Sequence, residues 1–167
     1  MVPGSPRSNA PEAPAPRAVP LLGGARLPLA FILYGLACYA IACGWLVARP
    51  SLLLEPHLHP RVVALVHLLL PGFLLSVTLG AFYQLVPVVL GTPLPASLRA
   101  LWFHFAIHVT GSATLVGGFI AGRFEWVGAG GLAVSAGILF FTTSIWHAFL
   151  ASNRRDALAW SFPLSAS

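Results

Sequence analysis

The sequence contains no lysine, and its charged residues make up only 8% of 167 positions. A water-facing domain carries roughly 25% charge, so this chain cannot clothe a soluble surface. Its nine basic residues are all arginines, spread from Arg7 to Arg155, and form no cluster that would follow a phosphate backbone. Nucleic acid is therefore excluded as a partner. Two cysteines are too few for a disulfide scaffold. Cys38 and Cys43 stand five apart, about 140° around a helix, so they do not face one another as a redox dithiol. Glycine-rich phosphate loops, nucleophile elbows and paired carboxylates are missing as well. The remainder is apolar, at 57% of the chain with a mean hydropathy of +0.85. The solvent implied is the lipid bilayer.

The few charges divide the chain. Between them lie four uncharged apolar runs, 27–48, 62–90, 100–122 and 126–151. A helix of about 20 apolar residues crosses a hydrocarbon core of roughly 30 Å, and all four runs are long enough. The expected fold is an all-α integral membrane protein of four transmembrane helices, since a long helix satisfies its own backbone in lipid. Residues 1–26 are rich in Pro, Ala, Gly and Ser, carry three arginines and have no apolar period. They are expected to form a disordered tail; that tail is too long for a signal peptide, and the apolar run after it exceeds the roughly 7–15 residues of a signal core.

Orientation follows from the arginines. With four spans, Arg7, Arg17, Arg26, Arg99, Arg154 and Arg155 share one side, against Arg49, Arg61 and Arg123 on the other. The richer side is expected to be cytoplasmic, placing both termini inside. Trp45 and Trp126 then fall at outer ends of spans, Trp102 and Trp146 at inner ends, as interfacial tryptophans do. Small residues four apart, Gly118 with Gly122 and Ala129 with Ala133 and Gly137, predict close helix contacts in the last two spans.

The ionisable groups within the spans are all histidines: His67 in the second, His104 and His108 in the third, His147 in the fourth. Ionisable groups in lipid are costly and often functional. At a rise of 1.5 Å per residue, His67 lies about 8 Å inside the outer end of its run, whereas the other three share the inner half. His104 and His108 are four apart and share a helical face that continues through Gly111, Leu115, Gly118 and Gly122. That face has two readings: ligands with space beside them for a flat group such as a porphyrin, or glycines that admit another helix while the histidines bond to neighbours. A metal site of His104, His108 and His147 has suitable ligands for zinc, copper or iron, without a carboxylate or thiolate to assist. In the second span Pro71 and Pro87 each lie four residues after a polar residue, His67 and Tyr83. A proline has no N–H for the carbonyl four back, so both carbonyls are expected to need other partners, at a ligand site or in a bent packing helix.

The second span, His67-Leu-Leu-Leu-Pro-Gly72-Phe73 followed by Gly80-Ala-Phe-Tyr83-Gln-Leu-Val-Pro87, reads H-x4-G-F-x6-G-x2-Y-x3-P. It resembles the second helix of bacterial membrane proteins related to subunit I of haem-copper oxidases, the large subunit of cytochrome c oxidases and nitric oxide reductases. The third span around Phe103-His104-Phe105, and the fourth from Phe140-Phe141 to Asn153-Arg154-Arg155-Asp156, are similar to the next two helices. The resemblance implies a multi-pass protein of the cytoplasmic (inner) membrane in which His67 is an axial ligand of a b-type haem, used for electron transfer or sensing. It assigns no role to Tyr83 or Gln84. The family's second axial histidine, copper ligands and high-spin haem ligand belong to later helices. The chain is therefore expected to be a shortened relative or a fragment, not catalytic for oxygen or nitric oxide reduction in isolation. A second ligand would come from a partner chain, from His57 or His59 folding back, or from none. Residues 157–167 form either a tail or the start of a fifth helix. The competing expectation is a non-catalytic bundle that assembles with itself or with other membrane subunits; a small transporter finds no intramembrane acid to support it.

Overall fold

The computed structural model describes residues 26–152. The tail expected before Arg26 and the alternatives for residues 157–167 lie outside the described residues. Four helices are long and apolar enough to cross a membrane: α1 (Arg26–Ala48), α2 (Pro60–Leu90), α3 (Leu98–Ala121) and α4 (Phe124–Ala151). No strand occurs among the described residues. A short 3-10 turn, Pro50–Leu54, lies between α1 and α2.

Each helix begins one or two residues ahead of its uncharged run. Glu125 sits in the first turn of α4, where the helix dipole favours an acid. It pairs with Arg123 at 2.8 Å, and the Arg123 guanidinium lies 4.5 Å from the Trp126 ring centre. The Ser97 hydroxyl caps α3 by accepting the Ala100 N–H at 3.3 Å. Gly91 and Gly122 end α2 and α3 with φ of 61° and 67°, a left-handed turn that glycine adopts without steric cost.

The middle of α2 departs from α-geometry. Residues Leu68–Leu75 form a π-helix around Pro71. A π register pairs each carbonyl with the amide five residues on, so the His67 carbonyl faces Gly72 rather than the nitrogen of Pro71. The carbonyl that proline cannot bond is thus re-satisfied within the helix, and the expected gap closes. The extra residue also rotates the second half of α2 relative to the first, which places Ser76 and Tyr83 toward α3.

Consecutive helices run antiparallel in close contact. A Cβ added at Gly80 would lie 2.7 Å from the Pro28 carbonyl, and one at Gly35 would lie 2.9 Å from the Phe73 carbonyl, so α1 and α2 meet backbone to backbone. A Cβ added at Gly111 would lie 2.9 Å from that of Ala133, one at Gly118 would lie 2.7 Å from the Val127 amide nitrogen, and one at Gly130 would strike the Leu115 backbone. Of the small residues expected to mediate contact, Gly118, Ala133 and Gly137 do so. Gly122 has open space around it and serves as the turn, Ala129 is exposed, and Gly130 supplies a contact that the pairing pattern did not single out. The face running on from His104 and His108 is therefore a helix-packing face, not room for a porphyrin.

The core has two parts. Near the α2 C-terminus all four helices converge through Leu27, Phe31, Leu79, Tyr83, Val86, Leu101, Phe141 and Ile145. Toward the other end, Cys38 and Ala42 of α1 pack on Leu65 and Leu68 of α2. The Ser152 hydroxyl donates to the Leu90 carbonyl at 2.9 Å and draws the ends of α2 and α4 to one edge of the bundle. Thr78, Thr110 and Thr143 turn their hydroxyls back to the carbonyl four residues earlier, which satisfies them without water.

Candidate functional site

The interior of the bundle holds a ladder of polar contacts on α3. His104, His108 and Ser112 are all buried and recur at intervals of four along one face. The Tyr83 hydroxyl of α2 meets His104 Nδ1 at 2.6 Å. Ser76 Oγ of α2 meets His108 Nε2 at 2.7 Å. The Tyr34 hydroxyl of α1 meets Ser112 Oγ at 2.7 Å. Phe31, fully buried, fills the space between these pairs, its ring centre 5.5 Å from that of His104 and 5.6 Å from that of His108.

Counting hydrogens assigns the tautomers. Ser76 donates its one hydrogen to the Gly72 carbonyl at 2.6 Å, so His108 donates its Nε2 proton to Ser76 Oγ. Ser112 donates to the His108 carbonyl at 2.7 Å, so Tyr34 donates to Ser112. Tyr83 has no hydrogen-bond partner besides His104 Nδ1; its buried O–H therefore donates there, leaving the ring proton of His104 on Nε2. That Nε2 is buried and without a partner. It points at Gly137, where an added Cβ would stand 3.1 Å away. Each pair ties α3 to α1 or α2, and a buried bond of this kind contributes about 1 kcal/mol.

His147, the third histidine of the expected inner-half cluster, is exposed on α4 and is not brought to this ladder. No group of three His, Cys, Asp or Glu side chains that could hold a metal ion occurs among the described residues. The three-histidine metal site is therefore not formed: the buried faces of α3 and α4 are set by glycine contacts, which leave His147 on the outside. His104 and His108 are each engaged by a hydroxyl of α2 in these inter-helix bonds.

His67 is different. It is half-buried, and its Nδ1 lies 2.8 Å from the Val63 carbonyl, to which it donates. Its ring packs on Phe119 of α3 with centres 4.9 Å apart. An Nδ1–H bound to a backbone carbonyl fixes the tautomer and orientation of a ligating imidazole and leaves the Nε2 lone pair outward. Nε2 has no partner among the described residues. His57 is exposed and His59 is the N-cap of α2, eight residues before His67; neither folds back onto it. A cavity of about 100 Å³ near this end, lined by Val63, Gly118, Phe119 and Val127 among others, does not include His67. It is well below the ~300–1,000 Å³ of a cofactor-sized pocket. The residues thus fit one axial bond to haem iron; they do not enclose the macrocycle, which would need a second surface.

Tyr34, Ser76 and Ser112 were not legible as site residues in the sequence. Serine and tyrosine in a span carry no signal by themselves, and their meeting depends on the π segment and on how α1 is seated. No protein-family model, curated protein or solved structure matches the chain.

Proposed function

We propose that this chain is a multi-pass protein of the bacterial cytoplasmic membrane, with both termini inside. In this reading it is related to subunit I of haem-copper oxidases, and His67 offers one axial nitrogen to a b-type haem shared with a partner chain. The observation that carries the reading is the state of the His67 ring: Nδ1 is anchored on the Val63 carbonyl and Nε2 is left without a partner. A neutral imidazole so held is suited to haem iron. Haem would supply one-electron transfer or gas sensing. The chain would supply an oriented ligand on a rigid helix and an apolar surface for the ring. Reduction of oxygen or nitric oxide is not assigned to it alone.

The test is an absorption spectrum of the protein purified from membranes of cells given ample haem. A b-type spectrum that is lost in His67→Ala and kept in His147→Ala is expected. Absence of haem from the wild-type protein and its co-purifying partners overturns the reading.

A second reading, a non-catalytic bundle that assembles with other membrane subunits, is favoured by a separate observation. The deep histidines are occupied in inter-helix bonds, as expected of a scaffold. It requires that His67→Ala leave the protein's membrane complexes, resolved by native electrophoresis, unchanged.

A further inference from the structure

Tyrosine and tryptophan are the side chains that most readily give up a single electron, and a tyrosine that does so sheds its phenolic proton. The chain has three tyrosines, and one of them has a base against its hydroxyl. Tyr83 and His104 are 6% and 2% exposed, and their 2.6 Å contact brings the phenolic proton to the Nδ1 lone pair. Tyr34 meets the Ser112 hydroxyl and, at 3.5 Å, the Val109 carbonyl. Tyr39 is exposed on α1, and its ring packs on Phe73. Neither has a base to receive a proton. From the Tyr83–His104 pair a file of aromatic rings leads to the surface. The ring centre of Tyr83 lies 5.6 Å from that of Phe31, Phe31 4.9 Å from Phe105, and Phe105 5.7 Å from Trp102. Trp102, the fifth residue of α3, is 39% exposed. Electrons tunnel through packed side chains far more readily than across gaps, and the two phenylalanines fill the space between the oxidisable ends.

We propose that Tyr83 and His104 form a proton-coupled redox pair, oxidised through Trp102 by a high-potential one-electron oxidant at the membrane surface, the class to which lipid peroxyl radicals belong. The oxidant takes one electron from the Trp102 indole and is reduced; a peroxyl radical becomes a peroxide anion, which takes a proton from interfacial water. The indole radical cation takes one electron from Tyr83 and returns to its neutral state. The Tyr83 O–H bond breaks, its proton forms an N–H bond at His104 Nδ1, and a neutral phenoxyl radical remains beside an imidazolium. His104 serves as a positioned base, and its buried Nε2 has no partner to pass the proton on to. The proton therefore stays on the pair and goes back to the phenol when an electron returns. The step leaves one positive charge in apolar surroundings, which is costly and confines it to strong oxidants. The pair is separate from His67 and does not depend on whether haem is bound there.

The experiment photo-oxidises the full chain in detergent with a ruthenium tris-bipyridine sensitiser and persulfate as electron acceptor, and reads the radical by electron paramagnetic resonance. Wild-type protein should give a tyrosyl signal whose g-values report a hydrogen bond. Combining Tyr34→Phe with Tyr39→Phe leaves Tyr83 the sole tyrosine and should keep that signal, whereas Tyr83→Phe should lose it. His104→Phe should slow radical formation on the order of 100-fold, the contribution of a positioned base, and remove the hydrogen-bond signature. Trp102→Phe, at an exposed site, should lower the radical yield several-fold, and it remains informative if a core variant fails to fold. A missing tyrosyl signal in the wild-type protein or the sole-tyrosine variant overturns the proposal. So do a signal that survives Tyr83→Phe and a radical yield unchanged by His104→Phe or Trp102→Phe.

Discussion

The hydroxyl of Tyr83 stands 2.6 Å from Nδ1 of His104, joining the second half of α2 to the start of α3 in the interior of the bundle. Neither group can turn to water. Each therefore depends on the other, and the two should behave as one unit in stability measurements.

Tyr83→Phe is expected to leave Nδ1 unpaired and to lower stability by about 1–2 kcal/mol, and His104→Phe to cost a similar amount by stranding the phenol. The double variant should cost clearly less than the sum. Unfolding in mixed micelles, read by circular dichroism, checks the cycle. Additive losses would mean that the contact contributes nothing.

Ser76→Ala removes the acceptor of the His108 Nε2 proton and the donor to the Gly72 carbonyl. It is expected to cost about 1–3 kcal/mol and to speed amide exchange in the π segment, since that hydroxyl bridges α3 to this part of α2. Hydrogen exchange by mass spectrometry measures it. Exchange over residues 68–75 that matches the wild-type protein argues that the π segment holds without the serine.

Glycines of equal rank in sequence should separate by position. Gly130→Ala and Gly118→Ala drive a methyl into the backbone of the facing helix, whereas Gly117 and Gly128 face open space. The first two are expected to lower the melting temperature by several degrees as α3 and α4 are pushed apart. Gly117→Ala and Gly128→Ala should be neutral or stabilising by up to about 1 kcal/mol through helix propensity. Thermal melts of the four variants in one detergent make the comparison, and equal losses at all four sites would sink the argument.

Topology has its own test. In a background with Cys38 and Cys43 replaced by alanine, a cysteine at Thr92 should react only with a reagent that reaches the cytoplasm. One at Arg123 should react with an impermeant reagent outside. The opposite pattern would invert the arginine count.

The four helices were legible because the length of an uncharged apolar run is a coarse signal that needs no partner. Each apolar run between Arg26, Arg49, Arg61, Arg99, Arg123 and Arg154 is long enough, and the helices extend one or two residues past those limits into positions where Glu125 and Arg99 are tolerated. The stripe on α3 was legible in part: His104, His108, Gly111, Leu115 and Gly118 share a buried face. The sequence left open whether that face meets a cofactor or a helix, because glycine spacing serves both. In the folded protein that face meets a helix at Gly111 and Gly118, which abut Ala133 and Val127. His147 reads like His104 in composition and depth but is exposed, because the glycine seam turns another face of α4 inward.

The number and extents of the long apolar helices and the candidate histidines could be read from the chain alone, since these depend only on transfer energies and the 3.6-residue period. The His67 bond to Val63 lies within α2 itself, but only the packing of the helices settled which ring nitrogens of His104 and His108 are engaged. That outcome turns on the π segment at Pro71, which adds a residue to the turn and rotates Ser76 and Tyr83 onto α3. Hydrogen-bond pairing is directional over tenths of an ångström, and no periodicity in a chain encodes the rotation of one helix against its neighbour at that scale.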